Sequence, residues 1–172
     1  MTEGNLFDIF QFARTSKVRS GTIDLSRMPT LAETLTGEAK AASAEFTLRP
    51  TSGIKDLPAV ELTLKAELTT DCVYCGEPCR IRIEKTLPFL LVKTEAEADK
   101  LPIEEDGDFD VIVGSTHFNL CALVEEELLL SLPAFPRHDA CEGVMPEKER
   151  EDVPETHNRP FSELGVLLKK KN

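Results

Sequence analysis

The segment Asp71-Cys72-Val73-Tyr74-Cys75-Gly76 carries the residue types and spacing best suited to chemistry in this chain. Two thiolates separated by two residues can converge on one point from a tight turn, which is what a zinc knuckle requires. A glycine after the second cysteine lets the turn open, so that backbone N–H groups point at the sulfurs. A tetrahedral ion needs two more donors, and His138-Asp139-Ala140-Cys141 supplies a second short pair. The expected metal set is therefore Cys72, Cys75, His138 and Cys141, with zinc as the one cofactor the residues suggest and Cys79 as a competing third ligand. Free thiols at a turn are the plain alternative. A thioredoxin-like redox pair fits less well, because that chemistry places its first thiol at a helix N-terminus. Here the motif lies between strands, and Asp71 is expected to raise the thiol pKa.

Other catalytic constellations are missing. His117, His138 and His157 belong to no recognisable triad, and no Gly-x-Ser-x-Gly, His-Glu-x-x-His or glycine-rich phosphate loop occurs. Glu125, Glu126 and Glu127 form an acidic run inside an apolar helix pattern. Glu127 falls within the apolar stripe, so it is expected to be a buried structural carboxylate held by a salt bridge. The chain is read as a non-enzyme, with no catalytic residue assigned. The rival is a zinc-dependent hydrolase or nuclease using Glu126 or Glu127 as general base.

The net charge is −11, from 20 basic and 31 acidic residues, so phosphate is repelled by most of the surface. Any RNA contact must be local or pass through a partner protein. Basic residues gather near the two ends. Arg14, Lys17, Arg19 and Arg27 lie at one, and Arg159, Lys169, Lys170 and Lys171 at the other. Phe161, Leu164 and Leu168 have helical spacing ahead of the terminal lysines, which suits docking on the chain's own domain or in a partner's groove. No membrane-length apolar run and no signal-peptide pattern is seen, so a cytoplasmic location with reduced thiols is expected.

The elements that must position these residues are legible in the periodicity. Phe7, Phe10 and Phe12 can share one side of a short helix or turn, and Lys17–Leu25 reads as a strand. Ser26 is expected to cap a helix with Pro29 in its first turn. Ala44–Leu48 and Val60–Leu68 alternate with period two around a turn-rich segment, which predicts an antiparallel hairpin. A third strand over residues 80–92 follows the cysteine turn. A short helix is expected over Thr94–Leu101, an acidic loop over Glu104–Asp110 and a last strand over Phe109–Val113. Asn119–Leu132 is the strongest helix, capped by Asn119 and ended by Pro133, with Leu120, Leu123, Val124 and Leu128 in one stripe. Its apolar character nearly all round predicts burial on two sides. The fold class is α+β, a mainly antiparallel sheet or partly open barrel with a central helix and a tethered C-terminal helical segment. The expected organisation is a domain over 1–141, an acidic linker over 142–158 and a docking segment over 159–172.

These residues together resemble one family. Cys72-Val73-Tyr74-Cys75-Gly76-Glu77-Pro78 resembles its cysteine turn, with Tyr74 where arginine is common. Leu123 to His138, LVEEELLLSLPAFPRH, with Cys141 after it, resembles its signature of an acidic helix running into a Leu-Pro-x-x-Pro-x-His segment. Asn158-Arg159-Pro160-Phe161, Leu164 and Leu167-Leu168-Lys169 resemble its Asn-Pro-Phe-x-x-Leu terminal segment, with Arg159 inserted. The family is the YceD family of large ribosomal RNA subunit accumulation proteins. The resemblance implies a role in synthesis, processing or stability of 23S ribosomal RNA, in bacteria and plastids, with no established catalytic activity. The acidic body with basic ends is expected to bind a basic large-subunit ribosomal protein or an rRNA-processing factor. Relatives with further cysteines after the Leu-Pro segment imply a metal there.

Overall fold

A computed structural model describes residues 6–36, 42–53, 57–101 and 109–141. The expectations for the acidic linker and for Phe161, Leu164, Leu168 and Lys169–Lys171 lie outside the described residues, as does most of the expected loop over Glu104–Asp110.

Period-two alternation becomes a five-stranded sheet of order β2-β3-β4-β5-β6. Its strands are β2 (Arg19–Asp24), β3 (Ser43–Thr51), β4 (Ala59–Asp71), β5 (Pro78–Val92) and β6 (Asp110–Val113). The first four pair antiparallel, and β6 joins β5 in parallel. The sheet is open, which resolves the choice between open sheet and partial barrel. A two-stranded pair of β1 (Leu6–Phe7) with β7 (Phe118–Asn119) stands apart from it.

The register explains which face is dry. Phe46 faces Leu64, Leu48 faces Leu62 and Ala66 faces Ile83 across neighbouring strands, and all six are buried. Positions between them face water and pair by charge or hydroxyl: Arg49 with Glu61, Lys65 with Glu84, Thr63 with Thr86. Alternation stops at the end of β5, where Phe89, Leu90, Leu91 and Val92 are all buried. This is the stretch paired with β6, and α3 (Glu95–Ala98) packs beside both strands. A strand with neighbours on both edges and cover on both faces has no wet side to mark with polar residues.

The core's other layer comes from α1 (Ile9–Ala13), α2 (Pro29–Thr34) and α4 (Leu120–Ser131). Asn119 caps α4 by accepting from the N–H groups of Cys121 and Ala122. Leu120, Leu123, Val124 and Leu128 are its buried residues, the stripe that its periodicity predicts. The helix is not buried on two sides, however, since Leu130 is 77% exposed. Its excess apolar character reaches solvent instead.

Two local expectations are corrected. Ser26 is not a cap: it sits in a 3-10 turn over Leu25–Arg27, and its N–H donates to Asp24, the residue that caps that turn. Helix α2 begins two residues later, with Pro29 in its first turn and Met28 at the cap position giving no side-chain hydrogen bond. Its orphan donors are satisfied from a distance. Glu125 Oε1, on α4, accepts from the backbone N–H of Thr30 at 2.7 Å and of Leu31 at 3.0 Å. A carboxylate at a helix N-terminus also opposes the helix dipole favourably. Glu125 is thus a cap supplied in trans that ties α2 to α4. Glu127 is half-buried, and no polar or charged side chain is fully buried among the described residues. The expected buried carboxylate is therefore only partly withdrawn from water.

All these elements belong to one compact unit, Met1–Glu142. No helix among the described residues is long and apolar enough to cross a membrane.

Candidate metal centre

The cysteine turn is the hairpin tip joining β4 to β5. Strand pairing runs to the base of the turn, with Asp71 opposite Pro78 and Thr70 opposite Cys79. Two backbone bonds close the tip: the Gly76 N–H donates to the Cys72 carbonyl, and the Cys72 N–H donates to the Glu77 carbonyl, both at 2.9 Å. Gly76 adopts φ +73°, the left-handed region that glycine enters without steric cost.

The second donor pair arrives on the segment after α4. Pro133 cannot continue the helix, and the chain turns back toward the hairpin tip. There the Val73 N–H donates to the Pro136 carbonyl at 2.9 Å, fastening the two segments together. A 3-10 turn over Asp139–Cys141 follows, closed by the Cys141 N–H donating to the His138 carbonyl. That turn sets His138 and Cys141 side by side.

One donor atom from each of Cys72, Cys75, His138 and Cys141 lies within 4.8 Å of all the others. His138 Nδ1 is 3.5 Å from Cys75 Sγ and 3.8 Å from Cys141 Sγ. Sulfurs about 2.3 Å from a shared tetrahedral zinc stand roughly 3.8 Å apart, so this set needs little contraction to close on an ion. The ring is already oriented: His138 Nε2 donates to the Pro78 carbonyl at 2.9 Å, which leaves Nδ1 of the neutral ring with its lone pair toward the sulfurs. Cys79, the competing ligand, is buried on β5 and does not join the set.

Electrostatics fit the same use. The Cys72 thiol is brought down to about 6, chiefly because the Cys75 backbone N–H points at its sulfur, with those of Tyr74 and His138 assisting. The expectation that Asp71 would raise this thiol is therefore overturned: N–H groups of the turn touch the sulfur and decide its charge. Burial pushes Cys141 up to about 11, and the nearby sulfurs of Cys75 and Cys72 push in the same direction. His138 is raised by the Pro78 carbonyl first and by Cys72 second. A thiol such as Cys141, raised by the sulfurs crowded against it, is one that a cation relieves.

The other residues singled out by sequence lie elsewhere. Arg14, Lys17 and Arg19 follow α1, whereas Arg27 sits in the turn before α2, where its carbonyl accepts from Cys121 Sγ at 3.9 Å. The charges pressing on Glu127 are Asp110, Lys85 and Glu126. At the cluster, Cys72 and Glu77 raise His138, and Cys72 and Cys75 raise Cys141. Sequence reasoning missed Glu125, whose partners lie 94 and 95 residues away in the chain.

Fold and site define a class: a small α+β domain whose central hairpin tip meets the segment after its helix at a cluster, or clasp, of three cysteines and a histidine. A family model described as large ribosomal RNA subunit accumulation protein YceD matches residues 60–168, which is 109 of the 172 residues and includes all four clasp residues. The chain belongs to the YceD family. No solved structure matched it.

Proposed function

We propose that this protein is a non-catalytic assembly factor of the cytoplasm, supporting synthesis, processing or stability of 23S ribosomal RNA. Membership of a family named for large-subunit RNA accumulation supports the ribosomal role. The donor set supports the non-catalytic part and carries the reading. Three thiols and an imidazole would fill a tetrahedral zinc ion with protein ligands, the closed arrangement of structural sites, whereas catalytic sites keep a position for water. Cys72, Cys75, His138 and Cys141 would hold the ion. Their work is to fix the hairpin tip against the chain leaving α4. The rival hydrolase needs an open position on the metal for water, which four protein donors would leave filled.

With net charge −11, the body is suited to a basic partner, such as a large-subunit ribosomal protein or a processing factor. RNA is touched locally, at the basic residues near the two ends. The segment over 159–172 acts as a docking element joined through the acidic stretch over 142–158. The test is a pull-down from cytoplasmic extract, with and without ribonuclease, comparing the full chain with one ending at Val153. Large-subunit precursors or proteins should be recovered with the full chain and lost on truncation. Recovery of no ribosomal component by the full chain would contradict the reading.

A further inference from the structure

We propose that the depression between β1, α1 and β2 binds an unpaired nucleotide of RNA, a proposal that rests on the ribosomal-RNA reading above. The depression measures about 490 Å³ and is lined by residues that include Phe7, Gln11, Phe12, Lys17 and Arg19.

Its floor is aromatic and rigid. The Phe7 ring meets Phe12 edge-on with centroids 5.5 Å apart, and Phe118 edge-on at 6.1 Å. Two edges holding one ring leave it little freedom to rotate. The Arg19 guanidinium lies over that ring, 4.4 Å from its centroid. An arginine plane held on an aromatic ring offers a second flat surface, and unpaired bases stack on such planes. Lys17 is exposed beside it, placed to meet a phosphate as a point charge. Gln11 is exposed on the same depression, and its amide can both donate to and accept from a base edge.

Charge selects this place. Residues 7–19 carry Arg14, Lys17 and Arg19 against Asp8, a balance of 3 − 1 = +2. The rest of the chain therefore carries −11 − 2 = −13. A polyanion is repelled by most of the chain and admitted at its basic stretches, of which this is one. Asp8, the one acid lining the depression among the described residues, is committed to the helix, since its Oδ1 accepts from the Gln11 N–H at 2.9 Å as the α1 cap. A duplex buries its base faces in its own stack, so the site favours a single strand.

The experiment is fluorescence anisotropy of the full chain with a short, unstructured, labelled RNA and with a duplex of equal length. Arg19→Lys keeps the charge and removes the plane, and should weaken single-strand binding about ten-fold. Lys17→Glu should weaken it by a similar factor of about ten and lower the salt dependence by about one phosphate contact. Arg82→Glu, on β5 and exposed, should change it less than about two-fold. Thermal melts check that each variant folds. Equal binding by wild type and both patch variants, or equal binding of duplex and single strand, would overturn the proposal. So would loss of a ribosomal protein from ribonuclease-treated pull-downs of Lys17→Glu with RNA binding intact, which would make the face a protein-docking surface. If large-subunit RNA still copurifies in that case, the assembly role stands and only this site falls. Patch-dependent binding of the short RNA without any ribosomal copurification would do the reverse.

Discussion

At the residue scale, the clasp turns on His138. Its Nε2 bond to Pro78 fixes the ring, and its Nδ1 sits between two sulfurs. The purified chain should carry about one zinc per molecule, with His138→Ala or Cys75→Ser weakening retention at least ten-fold, read by metal analysis after dialysis against a chelator. Full retention by both variants would remove these residues from the site. Glu127 makes a second prediction. Burial raises its pKa above the ordinary 4.5, Asp110 adds to this and Lys85 opposes it. A carboxyl raised by folding binds protons more tightly in the native state, so stability falls as pH climbs from the unfolded value through the folded one. Glu127→Gln should therefore raise the melting temperature at neutral pH, and the gain should close below the ordinary carboxylate range. Melting curves across pH check the sign. The donor set was legible as residues because two short pairs of soft ligands stand out in an acidic chain. The lowered Cys72 was not, because its cause is the direction of N–H groups that only the folded turn defines.

At the element scale, the two helices depend on one another. Met28 leaves the start of α2 without a side-chain cap, and Glu125 supplies it from α4. Glu125→Ala should cost about 1–2 kcal/mol, within the range of lost helix caps, measured by urea unfolding. A cost below a few tenths would make this contact incidental. Strands β3 and β4, the first part of β5 and helix α4 were readable because each has one wet face, and burial writes period two or 3.6 into such elements. The parallel placement of β6 was not readable, since four residues carry no mark of direction. Nor was the Glu125 contact, because an acidic run on a helix looks the same whether water or a distant helix start receives it.

At the scale of the whole molecule, the chain combines an acidic body, a clasped hairpin and a small basic-aromatic patch. The sheet and core give a rigid support, and the clasp joins the longest hairpin to the chain leaving α4. On the reading proposed above, the protein changes no covalent bond. Its effect on ribosomal RNA would come from what it holds and what it keeps away, which suits a body that repels RNA except at chosen places. Fold class followed from periodicity, whereas the ribosomal role came from motif order across the chain, since composition alone leads only to an acidic α+β domain. The most direct test of that role is the ratio of 23S to 16S ribosomal RNA in cells depleted of the protein, with and without re-expression of the wild-type chain. The account predicts a lowered ratio on depletion, restored by re-expression. An unchanged ratio under full depletion would contradict it.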